Sequence, residues 1–347
     1  MSISSTSSIL IRKVNVASLV LSSYLAQFGV NVLLIDENTR LINEEEELIF
    51  DDYASGFLNA LGINVTSKAK LVDIFKQAKE ILLKNMCTVS WGTTVTENEG
   101  SGSIKLKDLH NNIFFHQTDR FIDAEELEIN KNISITIRNI ALLAWKLEGV
   151  LNGYISRSIF INHNIEERLL REHYQEKPTL KIFRNILGKK DSKFSLKESK
   201  ISLHLSQQRN IEAGDLLPNL SVFDERLKQE TNFYNWCKFG EIHLIILGSI
   251  SQQNLFNVAK WVKSNFPLRL FYLPDSEKNA HIFSFFKIIE GEKKLIVVRP
   301  DRYIGLILDH LDLEVLDNYL SNFLQLKTKG KPINQKLIGS NIIENYP

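Results

Sequence analysis

Glycine is scarce in this chain, at 16 of 347 residues, about 5% against roughly 7% in ordinary proteins. A shortage matters most where a backbone needs positive φ or must approach a ligand closely. Cysteine is scarcer still, with two residues. Cys87 and Cys237 lie far apart and match no metal or redox spacing, a usage that fits a reducing, cytoplasmic setting. The longest apolar stretch, Val14 to Ile35, is interrupted by Asn15, Ser18, Gln27, Gly29 and Asn31. It reads as a buried helix followed by a strand, not as a membrane span. The start of the chain lacks the basic segment and apolar run of a secretory signal. The formal net charge is +1, so no global field draws the protein to nucleic acid or to an anionic membrane. The histidines show neither H-x-H nor H-x-x-x-H spacing, and no P-loop or G-x-S-x-G is present. No metal site is expected.

What is there suits a large soluble protein of two domains. Apolar residues make up 44% and charged residues 24%, ordinary values for a globular fold. Ser8–Ile11 predicts a buried strand, Ala17–Phe28 a helix stopped by Gly29, and 30–36 a second strand. Strand, helix and strand within about 30 residues make a βαβ unit with strands buried on both faces. Lys68–Asn85 carries a clear amphipathic period. Residues 86–122 predict short strands, with a hairpin turning at Asn111-Asn112. Ser134–Leu151 predicts a long helix, and Glu166–Gln175 another. After a Lys-rich segment, the remainder reads β-α-β, then a hairpin turning at Pro300-Asp301-Arg302, then a closing helix. The expected organisation is a Rossmann-like α/β domain over 1–175, a linker over 176–213, a thioredoxin-like domain over 214–330 and a tail over 331–347.

A Rossmann-type unit holds the pyrophosphate of a dinucleotide at its first turn. There G-x-G-x-x-G lets the backbone approach the phosphates at a helix N-terminus. Counting back from Gly29, those three positions hold Lys13, Asn15 and Ser18. The strand-end acid survives as Asp36, although such a residue is equally an ordinary turn or capping residue.

Several segments are similar to the FAD-dependent aromatic hydroxylases of the phenol hydroxylase and 3-(3-hydroxyphenyl)propionate hydroxylase type. They are Leu25–Asp36, Asp51-Asp52-Tyr53 through Leu58–Ile63, and Ile137-Arg138-Asn139 through Ala144-Trp145-Lys146-Leu147 with Val150–Gly153 and Glu167-Arg168. At the other end, Val298-Arg299-Pro300-Asp301-Arg302-Tyr303-Ile304 resembles that family's V-R-P-D-G-Y-V. The resemblance implies FAD as cofactor, NAD(P)H as reductant and a phenolic substrate, with Asp36 at the ribose. It also places Asp123 at the flavin's phosphate side. Lys13, Asn15 and Ser18 would lie at the diphosphate. The second glycine-rich flavin segment of the family falls on Asn130–Thr136, again without glycine, and the family's middle region is missing. Family membership with weak or absent flavin binding and no hydroxylase activity is therefore expected, and no catalytic residue carries over. Two alternatives stand beside it. One is an active FAD- and NAD(P)H-dependent monooxygenase. The other is a non-catalytic partner that dimerises, with itself or with an intact hydroxylase.

Overall fold

Ile9, Leu10 and Ile11 are wholly buried because they lie in an interior strand with neighbours on both sides. The structure, a computed structural model, describes residues 5–98, 102–129, 132–174 and 194–327. The chain divides into two units, 1–153 and 154–347.

The first unit runs β1 (Ser5–Arg12), α1 (Val16–Gln27), β2 (Val32–Asp36), β3 (Glu47–Ile49), α2 (Asp52–Ala60), β4 (Lys68–Lys70), α3 (Leu71–Lys84), β5 (Thr88–Trp91), β6 (Thr94–Asn98), β7 (Ser103–Lys107), β8 (Ile113–Asp123) and α4 (Ile133–Leu151). Its main sheet has the order β5-β2-β1-β8-β7-β6. The strands β5, β2, β1 and β8 are mutually parallel, whereas β6, β7 and β8 form an antiparallel meander. The expected βαβ unit is β1-α1-β2. Residues Val16–Ala26 of α1 are all buried, which explains why this helix lacks an amphipathic stripe. Gly29 ends it at φ +79. Its N–H donates to Ala26 O at 3.1 Å and the Val30 N–H to Leu25 O at 3.0 Å, the Schellman pattern that favours glycine at this place.

The motifs that carried the family resemblance meet here as packing. Asp51 caps α2 by accepting the Ala54 N–H at 2.8 Å. Arg138 of α4 pairs with Asp51 at 3.3 Å and lies over the Tyr53 ring at 4.0 Å. The Asp51 N–H donates to Ser134 Oγ at 2.9 Å.

The second unit contains α5 (Ile159–Tyr174), β9 (Leu203–Leu205), β10 (Ser221–Asp224), β11 (Gln229–Asn232), α6 (Phe233–Trp236), β12 (Ile242–Gly248), α7 (Gln252–Asn265), β13 (Leu268–Leu273), α8 (Ala280–Phe286), β14 (Lys293–Val298), β15 (Ile304–Leu308) and α9 (Leu313–Asn318). Its five-stranded sheet has the order β13-β12-β14-β15-β9. The pair β12/β13 is parallel across α7, and β14 and β15 return antiparallel.

Two expected boundaries look different in three dimensions. Helix α5, read from sequence as part of the first domain, lies in the second unit, bound through Glu166 to Arg299. Within the expected linker, residues 194–213 bury Phe194, Leu196 and Ile201 and supply β9 to the sheet. The rest of that linker and the tail over 331–347 lie outside the described residues. No helix among the described residues is long and apolar enough to cross a membrane.

Candidate functional site

Arg12 aligns with Ile35 of β2 on one side and with Asp123 of β8 on the other. The register therefore brings the ends of three parallel strands to one edge, next to the N-terminus of α1. All five residues singled out from sequence meet there: Lys13, Asn15, Ser18, Asp36 and Asp123. In open parallel sheets this carboxyl edge is where dinucleotides sit.

The turn between β1 and α1 keeps a glycine-type backbone without glycine. Lys13 has φ +80, a region costly for a residue with a Cβ. Asn15 caps α1 in a closed reciprocal pair. The Ser18 N–H donates to Asn15 Oδ1 at 2.9 Å, and the Asn15 N–H donates to Ser18 Oγ at 3.0 Å. Side chains thus take up N–H groups that an uncapped helix would offer to an anion.

The charges are also spoken for. Asp36 is buried, and its Oδ2 accepts the Val14 N–H at 2.7 Å. Its Oδ1 accepts both N–H groups of Asn38, backbone at 2.8 Å and side chain at 2.7 Å. Lys13 Nζ lies 3.7 Å from Glu37. Arg12 is ion-paired to Asp123, which raises the guanidinium's already high pKa. Asn15 Nδ2 donates to Glu128 Oε1 at 2.8 Å. Partial desolvation and the neighbouring Glu125 hold the Glu128 carboxyl above its usual pKa, against the Asn15 hydrogen bond. Each cation of the turn has an acidic neighbour within the protein, Arg12 in a close pair and Lys13 in a looser one at the surface, and a further acid is held at the helix cap.

The helix N-terminus of the second glycine-rich segment is capped in the same way. Asn132 Oδ1 accepts the N–H groups of Ser134 at 3.1 Å and Ile135 at 3.3 Å. Thr136 Oγ1 accepts the Ile129 N–H at 3.0 Å. Residues 130 and 131 lie outside the described residues. A cleft of ≈ 620 Å³ in this unit is lined by Thr6, Ser7, Asn31, Thr118 and Asp119 among others. It lies toward the opposite end of β1 from the turn.

Sequence reasoning missed two features. The first is Glu128, which the acidic text around Asp123 concealed. The second is a buried ionic cluster within the second unit. Arg299 Nη1 and Nη2 donate to Glu166 at 2.6 and 3.2 Å, and Nη2 also reaches Asp301 at 2.5 Å. Ser199 Oγ donates to Glu166 Oε1 at 2.7 Å. Burial opposes the charge on Arg299, but Asp301 and Glu166 outweigh it and raise the pKa. These groups form a clamp between α5 and the β14–β15 hairpin.

An α/β dinucleotide-type unit joined to a mixed-sheet C-terminal unit defines the class. Residues 239–328 match the family described as phenol hydroxylase, C-terminal dimerisation domain. Among solved structures, aklavinone-11 hydroxylase in complex with FAD and aklavinone superposes with TM-score 0.67 at 9% identity, covering 92% of this chain and 99% of that one. CabE, an aromatic hydroxylase from angucycline biosynthesis, gives 0.63 at 9% identity with the same coverage. OxyS anhydrotetracycline hydroxylase from Streptomyces rimosus gives 0.61 at 10%, covering 94% and 100%. No curated protein matches the sequence. The C-terminal match ties residues 239–328 to that dimerisation-domain family, and the chain shares the fold of these aromatic hydroxylases, in keeping with the resemblance its motifs carry.

Proposed function

We propose that this chain keeps the hydroxylase architecture but binds FAD weakly or not at all and does not hydroxylate. The observation that carries the reading is the β1–α1 turn. Its helix N-terminus is capped by Asn15 and Ser18, and its cations are paired with Glu37 and Asp123. FAD carries a diphosphate that needs free N–H donors and positive potential at this place. The residues present do not fit that group, so no flavin chemistry is assigned to them. In such enzymes the cofactor performs the reaction and the protein positions it; without the cradle the reaction goes with it. The test is twofold. The protein as purified should be colourless, and with added FAD it should oxidise no NAD(P)H in the presence of phenolic substrates. A flavin spectrum with substrate-stimulated NAD(P)H oxidation would establish the rival reading of an active monooxygenase.

A second reading concerns assembly. The match of 239–328 to a dimerisation domain favours a non-catalytic homodimer, or pairing with an intact hydroxylase, through the C-terminal unit. The strand order β13-β12-β14-β15 with its β-α-β, β-β-α connectivity supports a thioredoxin-like fold there. Light scattering on the full chain should give twice the chain mass; a monomer across the working concentration range would remove the homodimer.

A further inference from the structure

We infer that the dinucleotide site is latent: the backbone of its turn survives, and a carboxylate held at the cap, that of Glu128, closes it. The inference rests on the non-flavin reading above and goes on to name what shuts the site.

Three observations carry it. The first is conformational. Lys13 keeps φ +80, so the lost glycine has not been answered by a different turn. The second is the position of the strand-end acid. Asp36 is still at the edge, fixed by the Val14 N–H at 2.7 Å, so β1, the turn and β2 remain tied together. The third is the added anion. Asn15 turns one face of its amide to the helix by accepting the Ser18 N–H. With the other it donates to Glu128 at 2.8 Å. A helix N-terminus favours one negative group close by, and here the protein supplies its own. A diphosphate arriving at the same end would meet that carboxylate, with Glu125 close enough to Glu128 to raise its pKa. Glu128 is exposed to solvent, so the repulsion is screened, but like charges at short range still oppose each other. Glycine loss alone would leave a tight site; the carboxylate makes it a repulsive one.

The inference separates two causes that sequence alone merges, and substitutions separate them in turn. ADP is the probe, because it carries the diphosphate without the flavin ring. Calorimetric titrations use the full chain as wild type, as Glu128→Lys, as Glu126→Lys, as the glycine double Lys13→Gly/Ser18→Gly, which keeps Asn15 and its bond to Glu128, and as that double with Glu128→Gln. Wild type should give no detectable heat. Glu128→Lys should bind ADP at least tenfold more tightly than wild type. Glu126→Lys makes the same charge change nearby without touching the cap, and should remain at the wild-type level. The double with Glu128→Gln should bind at least tenfold more tightly than the double alone. Equal gains at 126 and 128 would overturn the inference, because only bulk charge would then matter. So would a double that binds as well with Glu128 as without it. If the glycine variants do not fold, as judged by circular dichroism, the two lysine variants decide alone, and no gain at 128 overturns the inference. Binding of FAD by the wild type would instead defeat the non-flavin reading, so the two failures are distinguishable.

Discussion

Lys13 and Arg302 present the same backbone problem with different compensation. Both have positive φ, +80 and +65, at places where the resembling sequences carry glycine. Lys13 extends toward solvent and reaches only Glu37, a pair of little net value at a surface. Arg302 is buried. Its guanidinium donates to Cys237 O at 2.9 Å and Tyr234 O at 3.1 Å and stacks on Phe239 at 3.8 Å. Lys13→Gly should therefore stabilise the protein by about 1 kcal/mol through relief of strain. Arg302→Gly should destabilise it by roughly 2 kcal/mol, because buried acceptors lose their donor. Urea midpoints of the two variants check the opposite signs. His243 adds a pH effect. Buried against Phe271, it has its pKa pushed down to about 3 by burial, with Arg269 and Arg302 adding to the shift. A base whose folded pKa lies below its unfolded value near 6.5 contributes stability above that pH and loses it as pH falls toward 3. His243→Leu should flatten the acid side of the stability profile by a few kcal/mol, on the order expected for a buried histidine. A wild-type slope in the variant would contradict this.

The elements show which parts of the sequence were legible. Periodicity found α1, α3, α4, β1, β2, β7 and β12 to β15 to within a few residues, because burial on one or both faces writes itself into the apolar pattern. The short β5 and β6 and most of β8 carried no such pattern, and β9 fell within the expected linker. It could not show that α5 belongs with the second unit, since that rests on contacts far apart in sequence, such as the Glu166–Arg299 pair 133 positions apart and His173 against Phe194. Removing a partner from such a cluster strands a buried charge. Glu166→Ala should cost roughly 3 to 5 kcal/mol, read as a lowered thermal midpoint, whereas the exposed Glu172→Ala should cost well under 1 kcal/mol. One retained glycine shows the converse of the losses at the turn. A Cβ at Gly305 of β15 would stand 2.0 Å from the Tyr319 hydroxyl, whose O–H donates to Ile201 O at 2.9 Å. Gly305→Ala should destabilise by about 1 to 3 kcal/mol through overpacking, with Tyr319→Phe in the same chain giving partial recovery. No recovery in the double variant would show that the clash lies elsewhere.

At the scale of the whole molecule, the site was half legible. The residue types at 13, 15 and 18 singled out the first turn, and the structure brings all five expected residues to one sheet edge. Glu128 was invisible, because its place at the Asn15 cap depends on how the chain after β8 folds back, and no local pattern encodes that. The same holds for the pairing of Arg12 with Asp123, which are separated by 111 positions and become neighbours only through the β1–β8 register. Long-range contacts apart from that edge, Arg138 with Asp51 and Arg299 with Glu166, tie the packing of each unit. On the proposed reading, such contacts would keep the architecture while the protein's own side chains occupy the phosphate position. The most direct measurement is the molar ratio of flavin to protein after incubation with excess FAD and removal of the unbound fraction. A ratio near zero is predicted; a ratio near one flavin per chain would contradict the account.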